Sequence, residues 1–484
     1  MNRRVPGSAC LFCFFQRDVI YFSFKPVHPL MIVMKFGGTS NQDAAAMRNV
    51  LRIVRAHVQH RPVVVISAIA KATNELERSA RTAQQGDEAG ALKILEALFS
   101  RHAAIRADLI QDPRRAAGLE ARFSRWHEEL NRLARGIAIL GELTPRSMDA
   151  VCSYGERLSS SLVAAGLQEQ GTNAVWVDVK EFMVTDDNFG QARPLMDPVA
   201  EGLRRTVLPL LDDGKVPVTQ GFIGVTRGGL PTTMGRESSD YSASIIGAAM
   251  GAENVQIWTD VDGILSSDPT VVSATQLVER MSFQEAFELS YFGAKVLHPG
   301  TMLPMFERRI PVRILNSRNP ESPGTLVDAD GGGDAPGVVK SIAFRRGVSI
   351  ITVTPERRLG QFLFWEGVYS VLNRLGVGTG ITVTSEYNLA ITVDNKSDVG
   401  KLALDLRDVG EVSVAEGLAA ICLVGHGIGK SADIFPRLFA SLGKVQVPLV
   451  SAGASQTSIT LGIREADLDE AVRRLHREFF ERSS

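Results

Sequence analysis

The sequence predicts an α/β protein with a parallel-rich sheet, followed by a smaller α+β region. Three observations carry this. From Ile32 onward short apolar runs alternate with segments of helical period, a stretch of glycine, aspartate and proline breaks the pattern at 328–337, and paired strands with amphipathic helices follow it. At 484 residues the chain is long enough for more than one hydrophobic core.

Ile32 to Phe36 reads as the first strand, Gly37 and Gly38 turn the chain, and Met47, Val50, Leu51, Val54 and Val58 recur at helical spacing. Further short strands are predicted at 63–66, 174–177, 216–218, 255–258 and 312–315, each flanked by glycine, proline or polar residues. Residues 75–140 hold no such run and are rich in Ala, Arg, Glu and Leu, so a helical layer is predicted there. The segment 328–337 reads as a linker that can neither pack nor hold a regular element. Beyond it, a strand, a helix and an alternating strand occur at 348–394 and again at 419–462, the pattern of a tandem repeat. The last helix places Leu468, Val472, Leu475 and Phe479 on one face.

Composition excludes several classes. Hydrophobic residues make up 44% and charged residues 22%, which is the balance of a folding globular chain. With 53 Lys and Arg against 54 Asp and Glu the net charge is -1, so no global field favours nucleic acid or an anionic membrane as partner. No apolar run approaches the roughly 18–20 residues of a membrane span. Arg3 and Arg4 ahead of the apolar run 9–15 imitate a secretory signal, but no small-residue cleavage site precedes Gln16, Arg17 and Asp18, and residues 1–30 stay unassigned. Four scattered cysteines, Cys10, Cys13, Cys152 and Cys422, suit a reducing cytoplasm. The Cys10/Cys13 pair lacks a second ligand pair, so no metal site is expected.

Five segments carry the chemistry. In Lys35-Phe36-Gly37-Gly38-Thr39-Ser40, glycines at the mouth of a parallel strand let backbone N–H groups approach a phosphate, the following helix adds the positive end of its dipole, and the lysine adds a full charge. A plain strand-turn-helix with a surface lysine has the same wording, so the other segments must decide. Two rival phosphate motifs fail on spacing. Gly425 to Ser431 has three residues between its outer glycines where a P-loop needs four, and the third glycine of Gly376 to Gly380 comes one residue early for a dinucleotide fold. The second segment, 234–243, opens an Ala-rich helix running to about Met250. Ser239 and Asp240 suit a helix start, while Arg236 beside a glycine is placed for bidentate capture of a carboxylate or phosphate. In the third, 153–159, Glu156 and Arg157 sit at a helix start, where capping explains an acid equally well. The fourth, Trp258-Thr259-Asp260-Val261-Asp262-Gly263, puts polar residues at the carboxyl end of a buried strand, where open α/β sheets bind ligands. The fifth, 292–299, offers a second lysine, Lys295, before a proline, with His298 read as a packed loop histidine.

In this order the segments resemble the aspartate kinases of the amino acid kinase superfamily, from Met31 to the C-terminus. The resemblance implies a three-layer amino acid kinase domain at 31–327, a linker at 328–337 and two ferredoxin-like ACT domains. The first ACT domain would span 346–415, and the second 338–345 with 416–484. It implies ATP-dependent phosphorylation of the L-aspartate side-chain carboxylate to 4-phospho-L-aspartate, the first step toward lysine, threonine and methionine, with ATP and Mg2+ as the nucleotide. Carried over by position, Lys35, Gly37 and Gly38 hold the transferring phosphate with Thr39 beside them, and Asp240 orients the reacting groups. Thr73 is the substrate threonine, Glu156 meets the substrate amino group, and Arg236 with Ser239 clamps its carboxylate. Thr259 and Asp260 contact the nucleotide, and Lys295 with Val296 forms a second phosphate-side site. A side-chain carboxylate with a reference pKa of about 4 is already an anion at neutral pH, so such a site needs positioning and charge rather than a general base.

The sequence departs from the family at Glu237 and Ser238, where many members have two glycines, at Leu265, where many have tyrosine, and at Thr270, where many have arginine. These put nucleotide affinity, more than reaction type, in question. In the tail, Gln361, Phe362 and Leu363 resemble a loop facing the effector strand that follows Ser385 and Glu386. The resemblance implies feedback by an amino acid, lysine preferred over threonine, and a homodimer or homotetramer paired through the ACT domains. With the chain ending soon after Phe480, a monofunctional enzyme is expected. The rival readings are another amino acid kinase, acting on glutamate, acetylglutamate, carbamate or a nucleotide, and a catalytically silent amino-acid sensor.

Overall fold

The computed structural model describes residues 31–235, 238–292, 299–333, 335–355, 361–385, 387–394 and 398–481. Its main sheet has eight strands in the order β3 (Ala174–Trp176), β5 (Val216–Gln220), β2 (Pro62–Ile66), β1 (Ile32–Phe36), β8 (Asn254–Thr259), β10 (Val312–Asn316), β11 (Thr325–Asp328) and β9 (Arg280–Ser282). All neighbours run parallel except β10 and β11. β1 and β2 are buried at every position, as strands covered on both faces must be, and their Val and Ile side chains suit that pleated surface. A small sheet of β4 (Val184–Thr185), β6 (Ile223–Thr226) and β7 (Pro231–Thr233) stands beside it.

The helix Ala44–Ala56 buries Met47, Val50, Leu51 and Val54 as the spacing predicts, but Val58 falls in a following 3-10 turn and is 36% exposed. The segment 75–140 is helical, as helices Ala72–Gln84, Glu88–Leu109 and Pro113–Leu140. Asp87 and Asp112 cap the N-termini of the last two, and Gly141 at φ 64 ends the third in the left-handed region that glycine enters freely.

The C-terminal region is a six-stranded sheet in the order β13 (Thr382–Thr384), β14 (Leu389–Asp394), β12 (Val338–Thr354), β15 (Glu411–His426), β17 (Ser458–Arg464) and β16 (Leu449–Ser451). Both long strands serve two cores. The first part of β12 pairs with Ala420 to His426 of β15, while Val348 to Val353 pair with β14 on one side and Val348 to Thr354 with Glu411 to Leu418 on the other. One core gathers Ile351, Phe364, Val368, Leu389 and Leu402, the other Ile342, Ile421, Leu438, Val472 and Leu475. The strand-helix-strand repeat is therefore present twice.

The 328–337 segment is corrected in one respect. Its described residues after Asp328 form no helix or strand, yet they pack: Asp328 accepts the N–H groups of Asp330 and Gly331, and Lys340 Nζ donates to the Gly331 carbonyl at 2.6 Å. A Cβ on Gly331 would lie 2.9 Å from Ser282, so this close approach needs glycine. Lys340 also pairs with Glu285 at 3.2 Å, inside the contact between the helix Phe283–Tyr291 and β12. At the other end of that helix the Tyr291 hydroxyl donates to Thr379 at 3.0 Å.

Candidate active site

The carboxyl ends of β1, β2 and β8 open onto a cavity of about 810 Å³. Parallel strands deliver their loops to one edge, which is where such sheets bind ligands. Lys35, Gly37, Gly38, Thr39, Thr73, Glu156, Ser239, Asp240 and Thr259 all line it, although they come from five distant segments. Asp260 is outside the lining; it accepts from the Thr259 hydroxyl at 3.3 Å and lies 4.0 Å from Arg318. Arg236, Lys295, Val296 and Glu386 fall outside the described residues. Gln361, Phe362, Leu363 and Ser385 belong to the C-terminal sheet region and not to this cavity.

Lys35 is nearly buried, and its Nζ lies 2.6 Å from Asp240 Oδ1, on the first turn of the helix Ser239–Met250. The Gly37 N–H donates to the Trp258 carbonyl at 3.1 Å, and the Gly38 carbonyl accepts from Ala70 at 3.1 Å. A Cβ on Gly38 would lie 3.0 Å from the Ala68 carbonyl, so the glycine is required by the closeness of two loops and not by its φ of -63. One expectation fails here. The turn after Gly38 is a 3-10 turn, Thr39–Asn41, and the helix begins only at Ala44, capped by Asp43. A phosphate beside Gly38 would thus meet the turn and not the helix terminus, where the Asp43 carboxylate already accepts the Ala46 N–H at 2.8 Å.

Glu156 is 3% exposed, on the first turn of the helix Tyr154–Glu169. Its hydrogen-bond donors are the backbone N–H groups of Glu156 itself and Ala68, and Oε2 has no partner. Burial pushes its pKa up from 4.5 to about 8, against the pull of those two donors. Capping alone does not account for a buried acid that lines a cavity and has one oxygen without a donor. Arg157, its neighbour, is held away by Asp178 at 3.0 Å and stacks on Trp126.

Lys71 and Phe222 also line the cavity and were not singled out from the sequence. Both have positive φ, 69 and 65, without being glycine, a conformation that no local sequence signal announces. Of the departures, Ser238 sits at φ -81, which any residue adopts, so glycine is not required there. Leu265 gives its carbonyl to the Ser341 hydroxyl at 2.8 Å, and the Thr270 hydroxyl donates to Asp268 at 2.6 Å. These residues therefore shape a loop that docks on β12 through Leu265 and on the helix Leu468–His476 through Ser266 and His476, 2.9 Å apart.

Among the described residues no group of three or more His, Cys, Asp or Glu could hold a metal ion. Mg2+ on a nucleotide needs fewer: it keeps waters and substrate phosphates and takes one or two carboxylates, a role that Asp240 beside Lys35 suits.

A family model for the amino acid kinase family matches residues 31–316, and one for the ACT domain matches 421–479. The lysine-sensitive aspartokinase 3 of Escherichia coli is 33% identical over 464 residues, covering 93% of this chain and 99% of that protein. The chain belongs to the aspartokinase family. Chloroplastic aspartokinase 1 of Arabidopsis thaliana is 34% identical, covering 93% of this chain and 80% of its own length. Among solved aspartokinases, E. coli aspartokinase III in complex with aspartate and ADP matches with a TM-score of 0.79 at 33% identity, over 93% of this chain and all of that one. The lysine and aspartate complex of the same enzyme matches with a TM-score of 0.77. An amino acid kinase domain followed by ACT domains is thus the architecture of this aspartokinase family member.

Proposed function

We infer that the chain is an ATP-dependent aspartate kinase, transferring the γ-phosphoryl group to the side-chain carboxylate of L-aspartate under feedback by an amino acid. The observation that carries the reading is Glu156, a buried acid with one oxygen lacking a donor, in the same cavity as the Lys35 and Asp240 pair. One wall calls for an ammonium group and the other for phosphate oxygens, and aspartate with a nucleotide satisfies both. Glu156 receives the substrate amino group, with Thr73 nearby. Arg236 and Ser239 hold the substrate carboxylate. Lys35, Gly37, Gly38, Thr39, Lys295 and Val296 hold the phosphates, Thr259 and Asp260 the nucleotide, and Asp240 orients Lys35. Mg2+ travels with ATP and neutralises charge on its phosphate oxygens. Because the attacking carboxylate is already an anion, these residues need only align it in line with the γ-phosphorus and neutralise the charge that shifts to the leaving oxygen. Measured ADP release should require aspartate; release that is equal with glutamate would transfer the reading to another member of the superfamily.

The domain division follows as kinase 31–327, linker 328–337, first ACT domain 346–415, and second ACT domain 338–345 with 416–484. Support comes from β12 and β15, which each contribute to two cores. Residues 411–415 of β15 pair with β12 on one side, while β17 pairs only from Leu418 onward, so the other side is an open sheet edge among the described residues. A second copy extending that edge gives a homodimer, the unit of any tetramer. Among the described residues no helix is long and apolar enough to cross a membrane. The sparse cysteines keep a reducing compartment such as the cytoplasm as the proposed location.

The effector site is proposed between Gln361, Phe362, Leu363 and the pair Ser385 and Glu386. Phe362 is 79% and Leu363 63% exposed, an apolar pair awaiting cover. The Ser385 hydroxyl accepts the Asn388 N–H at 2.9 Å, and the Thr354 hydroxyl at the end of β12 donates to Asn388 at 3.0 Å, so Ser385 stands close to the end of β12. Lysine is the proposed effector, because its second ammonium could meet Glu386 and because the E. coli relative is lysine-sensitive. Glu386→Ala should retain activity and lose inhibition by lysine in a titration; unchanged inhibition would place the effector elsewhere.

A further inference from the structure

A second buried acid lies outside the cavity. Asp149, on the helix Pro145–Cys152, is 1% exposed, and its carboxylate is held by three neutral donors. The N–H groups of Gly190 and Thr233 each reach Oδ2 at 2.9 Å, and the Thr233 hydroxyl reaches Oδ1 at 2.7 Å. Thr233 is the last residue of β7, three before Arg236, and Gly190, at φ 85, is in the turn that follows β4. The Ala192 N–H donates to the Thr233 carbonyl at 2.9 Å, so turn and strand are also locked to one another. On the opposite side, the Asp149 helix passes through Ser153 directly into the helix Tyr154–Glu169, whose first turn carries Glu156. A single carboxylate therefore ties together the helix pair that carries Glu156 and the strand that precedes Arg236 in the sequence.

We propose that Asp149 is a positioning residue for the aspartate subsite, fixing the distance between the Glu156 helix and the strand that leads into Arg236. The proposal rests on the aspartate reading above. The side chain touches neither substrate nor nucleotide, since it lines no part of the cavity. It acts through its hydrogen bonds, and a displacement of β7 by a fraction of an ångström alters how well one substrate's two charged ends are met at once. Burial raises the pKa of this carboxyl group while the three donors oppose the shift, which marks them as favouring the charged, acceptor-only form.

Lys35, Gly37, Gly38 and Thr259 stand at the ends of β1 and β8 and make no contact with this tie, so the larger consequence falls on aspartate. Asp149→Ala should raise the aspartate KM by at least about tenfold while kcat and the ATP KM stay within about twofold. Asp149→Asn should recover most of that loss, because the amide oxygen can take both N–H groups while its NH2 donates to the Thr233 hydroxyl, which can also accept. Thr233→Val removes one bond only and should give a smaller rise; it carries the test if Asp149→Ala does not fold. An unchanged aspartate KM in the folded variant, a parallel loss across kcat and both KM values, or no recovery in Asp149→Asn would overturn the proposal. A wild-type protein that does not turn over aspartate would instead overturn the reading beneath it.

Discussion

Replacing Lys35 by alanine is expected to lower kcat by at least about a hundredfold with the fold intact, because a charge aimed at a transferring phosphoryl group acts mainly in the transition state. The geometry explains why the loss should be large. Lys35 stands at the carboxyl end of β1, 2.6 Å from Asp240, and is 8% exposed, so its ammonium works where water screens little. Removing it also leaves the Asp240 carboxylate uncompensated where phosphate oxygens must approach, which adds repulsion to lost attraction. Lys35→Arg should not restore turnover: Nζ is nearly buried and already 2.6 Å from Asp240, and a planar guanidinium needs more room than a point charge. Thermal melting establishes that the variant is folded, and near-normal turnover in such a protein would remove Lys35 from the phosphoryl path.

The second large effect concerns Glu156 and has a defined pH dependence. With its pKa raised by burial from 4.5 to about 8, the empty site holds a proton on Glu156 at neutral pH. The aspartate ammonium pairs with the carboxylate, so binding must expel that proton. The sign follows. Below about pH 8 the apparent aspartate affinity should rise with pH, by up to tenfold per unit, and should level off above it. The charged groups sharing the cavity are Lys35, Lys71, Glu77 and Asp240. Glu156→Gln should flatten this slope and raise the aspartate KM at least about tenfold, with a smaller effect on ATP, since the substrate ammonium loses its counter-charge in a buried site. Titrating KM for both substrates between pH 6 and 9 measures it. A collapse of ATP affinity with aspartate unaffected would mean that the two substrates occupy each other's places.

Much of this site was legible in the sequence because parallel α/β folds bring strand ends to one edge. Once Ile32 to Phe36, 63–66 and 255–258 were read as strands, Lys35, Thr73 and Thr259 had to meet. The order of the motifs supplied Glu156, Ser239 and Asp240. What stayed hidden depends on long-range contact. Lys71 and Phe222 reach the cavity through positive φ angles that neighbouring residues impose. The helix after Gly38 does not follow the glycines directly, because a 3-10 turn intervenes and Asp43 caps the helix at Ala44. Glycine-rich residues after Asp328 looked unable to pack, but their partners, Ser282 and Lys340, lie in other elements. Asp149 gave no signal at all, since an acid inside a short helix is common and only its burial sets it apart. The tandem repeat was visible in its alternation, whereas the sharing of β12 and β15 between two cores follows from pairing register, which strand patterns alone do not fix.

The most direct measurement is trapping of the acyl phosphate. Incubating the full chain with ATP, Mg2+ and hydroxylamine, and offering L-aspartate, L-glutamate and N-acetyl-L-glutamate in turn, converts any acyl phosphate formed into a hydroxamate that can be identified by mass. Aspartyl hydroxamate formed only with ATP and aspartate, diminished in Lys35→Ala and suppressed by added lysine, is the expected result. Hydroxamate from another acceptor but not from aspartate, or none from a folded protein with any acceptor, would contradict it.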